Sequence, residues 1–191
     1  MRERTVLWRT PALATSLLAA ALGCQTTLTS TVKGSKTPPT VHCADGQTLE
    51  VSNGGFTIAQ ECLFQENGVA GDGFAEVTFW EFDVSRSEDF ADCYPESALI
   101  ELHLRPQGDV LQESLRVEGK WDLGLEEIQS LEVGVDQQTT IDMMVRGGRP
   151  SPYTPGEIQA LLMAEPQGRL PMVYEQNAVI HFARLEIRCV K

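Results

Sequence analysis

The side chains most able to do chemistry are few and scattered. Of three histidines, His42, His103 and His181, only His103 stands beside a carboxylate, with Glu101 two residues earlier on the same predicted strand face. A carboxylate so placed can orient an imidazole for general-base work. No Ser or Cys nucleophile sits at a recognisable motif, so His103 is expected to be a surface histidine and no catalytic residue is assigned. His181 has the parity of Val179, Leu185 and Ile187, which predicts a hydrogen-bonded core histidine. Asp83, Glu88, Asp89, Asp92 and Glu96 surround Cys93. Clustered carboxylate oxygens suit hard cations such as Ca²⁺. Their spacing matches no EF-hand or repeat calcium loop, and no metal or other cofactor is expected.

Two glycine-rich segments complete the inventory. Residues 67–73, NGVAGDG, lack the Lys-Ser/Thr of a phosphate-binding loop and lead into a strand instead of a helix, so they are expected to be a connection. Residues 146–153, RGGRPSPY, place Arg146, Arg149 and Tyr153 in a Pro/Gly loop of an otherwise acidic chain. Long loops on rigid β scaffolds often carry recognition, which makes these three a possible recognition loop.

The elements that would position these groups repeat with a period of two. Ile100, Leu102 and Leu104 alternate with Glu101, His103 and Arg105. Leu115, Val117, Gly119, Trp121 and Leu123 form a second set, Leu131, Val133 and Val135 a third, and Ile141, Met143 and Val145 a fourth. Such half-buried strands indicate antiparallel sheets. Asn53-Gly54 is a hairpin signal, and Asp136-Gln137-Gln138 can join two more strands. Residues 74–84 break the alternation, with Val77 and Phe79 on one face and Trp80 and Phe82 on the other, and predict a central strand covered on both sides. The run 178–190 is long enough to bend or to cross between sheets. Thr154, Pro155 and Glu157 offer a capping box before IQALLMA, so one short helix is expected near 155–165. The fold class expected is an all-β antiparallel sandwich of about eight strands with that helix. A lipocalin-like barrel is the alternative; Gly119-Lys120-Trp121 is similar to that family's Gly-x-Trp, which in lipocalins lies on the first strand and here lies mid-chain.

The N-terminus has a different character. Arg2, Arg4 and Arg9 precede an uncharged, Ala/Leu-rich run over 12–22, eleven residues where a membrane span needs about 20. This is the pattern of an export signal. Ala21-Leu22-Gly23-Cys24 at its end resembles the lipobox of bacterial lipoproteins, with Leu22 one place later than the usual leucine. The resemblance implies cleavage before Cys24, a diacylglyceryl thioether on its sulfur and acylation (palmitate) of its new amino group. Two or more acyl chains hold a protein on a membrane stably, whereas one does not. Gln25, in place of the aspartate used for inner-membrane retention, implies the outer membrane in a cell that has one. Ala19-Ala20-Ala21 also permits ordinary secretory cleavage after Ala21. Residues 25–41 hold six Thr, two Pro and two Lys without an acid, so 24–42 is expected to be a lipidated cysteine on a solvated tether; an edge strand is the alternative, since Thr and Val favour strands.

Residues 43–191 have the length of one domain. Their cysteines, Cys43, Cys62, Cys93 and Cys189, would meet an oxidising compartment after export and form two disulfides. Three pairings are open; strand parity places Cys62 and Cys189 toward the core and favours Cys62–Cys189 with Cys43–Cys93. Without residues 1–23 the chain holds 12 basic and 26 acidic residues, a net charge of −14. That excludes nucleic acid as a partner, because phosphate binding demands a basic face, and it disfavours adsorption to anionic lipid. The function expected is a non-enzymatic binding or structural module of the cell envelope, with a protein or glycan partner. Carriage of a small apolar ligand, and hydrolysis of envelope polymers, are the alternatives.

Overall fold

A computed structural model describes residues 25–35, 48–62, 74–107, 113–117, 120–144, 153–175 and 178–190. Ten strands and two short helices are found among them. In chain order they are β1 Gln25–Lys33, β2 Thr48–Asn53, β3 Phe56–Cys62, β4 Phe74–Asp83, β5 Tyr94–Pro106, β6 Ser114–Val117, β7 Lys120–Leu123, α1 Leu125–Gln129, β8 Gln137–Asp142, α2 Pro155–Met163, β9 Arg169–Glu175 and β10 Ala178–Val190. One sheet has the order β1-β10-β5-β8 and the other β2-β3-β4-β9-β6-β7. Every pairing is antiparallel. The result is the all-β sandwich, with ten strands in place of about eight, two open sheets in place of a barrel.

Alternation does the work expected of it along β5, where Ile100, Leu102 and Leu104 are buried between the more accessible Glu101, His103 and Arg105. From the other sheet Trp80 and Phe82 of β4, and Leu170, Met172 and Tyr174 of β9, meet them in one apolar core. Phe56, Trp80 and Phe82 stack edge-on, with centroids 5.5 Å and 6.1 Å apart. Each side chain of this size contributes roughly 1.5–3 kcal/mol by leaving water. The helices close the gap between the layers, α2 lying against β5 and β9 and α1 against β8 and β6.

The β2–β3 hairpin turns through Gly54 and Gly55, with Asn53 opposite Phe56. Gly54 has a φ of 66°, and a Cβ there would stand 2.4 Å from the Lys33 carbonyl oxygen, so this turn both needs glycine and holds the end of β1. In α2 the capping box forms as expected: the Glu157 amide donates to Thr154 Oγ1, and the Thr154 amide donates to the Glu157 carboxylate. Thr154→Ala is expected to lower the unfolding free energy by about 1 kcal/mol in urea titration. A change below about 0.3 kcal/mol would show that packing of Ile158 and Leu162 alone sets this helix.

Several expectations are corrected. Residues 25–33 are not a tether: they form β1, paired residue for residue with β10 from Gln25↔Val190 to Lys33↔Phe182, with Leu28 fully buried. The threonines that suggested a solvated linker fit an edge strand because Thr27, Thr29 and Thr31 lie on its exposed face. The run 115–123 is not one strand but the β6–β7 pair, Leu115 opposite Leu123. Val133 and Val135 are 50% and 40% exposed in the turn that follows α1, and Gln137 and Gln138 begin β8 instead of linking strands. β4 is internal, yet its second face is open, with Phe79 41% exposed.

Candidate functional site

On the outer face of the four-stranded sheet, register sets Arg184 of β10 and Thr140 of β8 on either side of Glu101, with Phe182 and Gln138 beside His103. Three donors converge on the Glu101 carboxylate. Arg184 Nη2 lies 2.7 Å from Oε2, Gln138 Nε2 donates to Oε1 at 2.6 Å, and His103 Nε2 lies 3.0 Å from the same oxygen. The imidazole also faces the Phe182 ring at 5.0 Å. These contacts hold Glu101 and His103 in place across three strands, and among the described residues His103 touches no hydroxyl or thiol. The group is a cross-strand ion-pair network tying β8, β5 and β10.

His181 is not a core residue. It is the extra residue of a β-bulge between Ile180↔Leu104 and Phe182↔His103, which reverses the inward parity of β10: Ala178 and Ile180 are buried before it, Ala183, Leu185, Ile187 and Cys189 after it. Its imidazole turns outward to Asp136 at 2.9 Å, with Arg105 3.8 Å from the same carboxylate, and so fastens the turn before β8. Tyr153 is likewise not a surface residue; it is 3% exposed and its amide donates to the Met143 carbonyl at 2.6 Å, which makes it an anchor for the start of α2. Arg146 and Arg149, and the glycine-rich 67–73, lie outside the described residues.

A buried pair that alternation did not announce joins β9 to the residue before β6. The Tyr174 hydroxyl donates to Glu113 Oε2, and both residues are almost fully enclosed. Burial, reinforced by the neighbouring Glu113 carboxylate, holds the phenol far above the ordinary tyrosine range, so it stays a donor. Next to it Glu175 pairs with Arg116 and accepts from Ser114 Oγ at 3.2 Å. These contacts clamp the short β6 onto β9. The signal that would have found β9 is the alternation of Leu170, Met172 and Tyr174, masked by Pro171, which pairs with Glu81 of β4 and lies beyond the last β6 pairing at Met172.

The acidic residues do not converge on a common point. The Ser85 hydroxyl and amide hold the Asp83 carboxyl below the usual carboxylate range, Asp89 accepts from Thr26 Oγ1 at 2.7 Å, and Glu96 accepts from Gln25 Nε2 at 3.5 Å. Among the described residues no three His, Cys, Asp or Glu side chains are grouped to hold a metal. Two of them, Asp89 and Glu96, instead hold the first residues of β1. Gln25 opens β1 opposite Val190, which in turn faces Tyr94 at the start of β5. Cys189, one residue inward of Val190, forms a disulfide with Cys93, the residue before β5, with Cα atoms 5.0 Å apart. The pairing therefore differs from Cys62–Cys189 with Cys43–Cys93: parity chose a face, whereas the crossover from β4 to β5 brings Cys93 against β10. Cys24 and Cys43 lie outside the described residues, and Cys62 ends β3.

This end of the four-stranded sheet, with Gln25, Thr26, Tyr94, Cys93–Cys189 and Val190, is the candidate functional site, because Gln25 follows directly on Ala21-Leu22-Gly23-Cys24, the stretch expected from its sequence to be a lipobox. Compared with protein-family models, with curated proteins and with solved structures, the chain finds no match.

Proposed function

We propose that the chain is a cell-envelope lipoprotein, exported through residues 1–23, lipidated on Cys24 and bearing its sandwich as a non-enzymatic binding or structural module, at the outer membrane in a cell that has one. The observation that carries this is the position of β1. Every strand among the described residues lies from Gln25 onward, so a cut before Cys24 would leave each of them intact and hand the thiol to lipid chemistry. A buried disulfide at the same end suits an oxidising compartment outside the cytoplasm. Among the described residues no helix is long and apolar enough to cross a membrane. Acyl chains on Cys24 would supply the hold, two or more being needed for stable attachment.

Mass spectrometry of the N-terminal tryptic peptide from membranes is expected to find Cys24 first, carrying a diacylglyceryl thioether and an N-acyl group. Cys24→Ala should abolish incorporation of labelled palmitate and release the protein from the membrane fraction. An unmodified peptide starting at Leu22 would overturn the proposal in favour of a secreted protein.

A further inference from the structure

We propose that the end of the sandwich formed by Gln25, Tyr94 and Val190 sits directly on the bilayer surface, with the Tyr94 ring among zwitterionic headgroups and β1, β5 and β10 running away from the membrane. The inference rests on lipidation of Cys24 and adds to it an orientation. A tether would let the domain stand at any angle, but there is no slack to provide one. Cys24 and Gln25 are joined by one peptide bond, which sets their Cα atoms about 3.8 Å apart. Gln25 is fixed in turn, because β1 is paired with β10 along all nine of its residues. The first two side chains are also tied down, Gln25 to Glu96 and Thr26 to Asp89. Acyl chains on Cys24 therefore pull on a rigid edge of the sheet.

Tyr94 lies two strands across from Gln25, on β5, roughly 10 Å away at the usual strand spacing. It is 49% exposed, a large aromatic with a hydroxyl, the kind of side chain enriched where bilayer meets water. Its neighbours are more acidic than basic, with Glu88, Asp89, Asp92 and Glu96 against Arg86, Arg188 and Lys191. With Asp89, Asp92 and Glu96 nearby in sequence, an anionic surface would repel this end, so the seat suits headgroups without net charge. The other end of β5 is far from lipid in this orientation. Thirteen residues separate the headgroup end from Pro106 by about 40 Å, and the Gly134 amide donates to the Pro106 carbonyl, which places exposed Val133 there.

The test uses lipidated full-length protein in phosphatidylcholine vesicles with or without lipid spin-labelled at the headgroup, read by tryptophan emission after subtraction of the native signal. Tyr94→Trp is expected to add emission that the spin label quenches about twofold, and Val133→Trp to add emission that it leaves unchanged. Inserting about twelve Gly/Ser residues between Cys24 and Gln25, a coil of roughly 20 Å, should bring the Tyr94→Trp variant down to the Val133→Trp level. Flotation of the same vesicles separates the two claims. Protein that floats but quenches equally at both positions overturns the orientation and leaves the lipid anchor standing; protein that does not float overturns both.

Discussion

Replacing Cys93 and Cys189 together by alanine is expected to lower the unfolding free energy by about 2–5 kcal/mol, measured by urea titration of the purified domain. The two cysteines are 96 residues apart in sequence and fully buried. Chain-entropy reasoning gives about 4.7 kcal/mol for a cross-link closing a loop near 100 residues, because the open chain loses that much freedom when the ends are joined. The folded state loses something as well: the bond ties the crossover between the sheets to β10, which carries β1. Alanine is the right replacement, since serine would bury a hydroxyl where sulfur now packs. A reductant acting on the unaltered protein in urea should reproduce the shift. A loss under about 1 kcal/mol would mean that strand pairing alone holds the crossover in place.

Tyr174→Phe is expected to cost about 1.5–3 kcal/mol at neutral pH, the range for a hydrogen bond to a buried charged acceptor. Glu113 would lose the phenol that now reaches its carboxylate. The pH dependence distinguishes this from a packing defect. Folding raises the tyrosine's pKa, so in the unfolded chain Tyr174 gives up its proton near pH 10 while the folded chain keeps it. Above pH 10 the unfolded state binds fewer protons, and stability falls with a slope of about 1.4 kcal/mol per pH unit from this one group. The phenylalanine variant lacks that group. The gap between the two proteins should therefore be full below pH 10 and shrink as pH rises toward 12; a gap constant across that window would assign the loss to packing.

Those residues also show which parts of the fold were legible in the sequence. β5 could be read because apolar and polar residues alternate without interruption from Ile100 to Arg105, and α2 because Thr154, Pro155 and Glu157 signal its start whatever the rest of the chain does. β1 was obscured by composition: an edge strand with one face in water can be built almost wholly from threonine, and only Leu28 is fully buried. His181 was misplaced because a bulge shifts parity by one, and nothing local in the sequence marks it. Val133 and Val135 keep a strand's spacing inside a turn, where the positive φ of Gly134 decides the conformation. The disulfide pairing and the neighbourhood of Tyr94 depend on register between segments about 70 to 100 residues apart, and alternation carries no information about register. Of the candidate site, nothing local in the sequence set Gln25 two strands from Tyr94.

The pairing of β1 with β10 also sets an order of events during synthesis of the chain. Residues 25–33 are made early and find their partner only when 178–190 have followed, so β1 waits for β10. Contacts this distant in sequence make folding slow, because loop closure must precede any gain from pairing. Cys93 waits in the same way for Cys189. Since β10 completes both β1 and the β4–β5 crossover, the four-stranded sheet closes only after residues 178–190 have been made, and its two oldest segments close together.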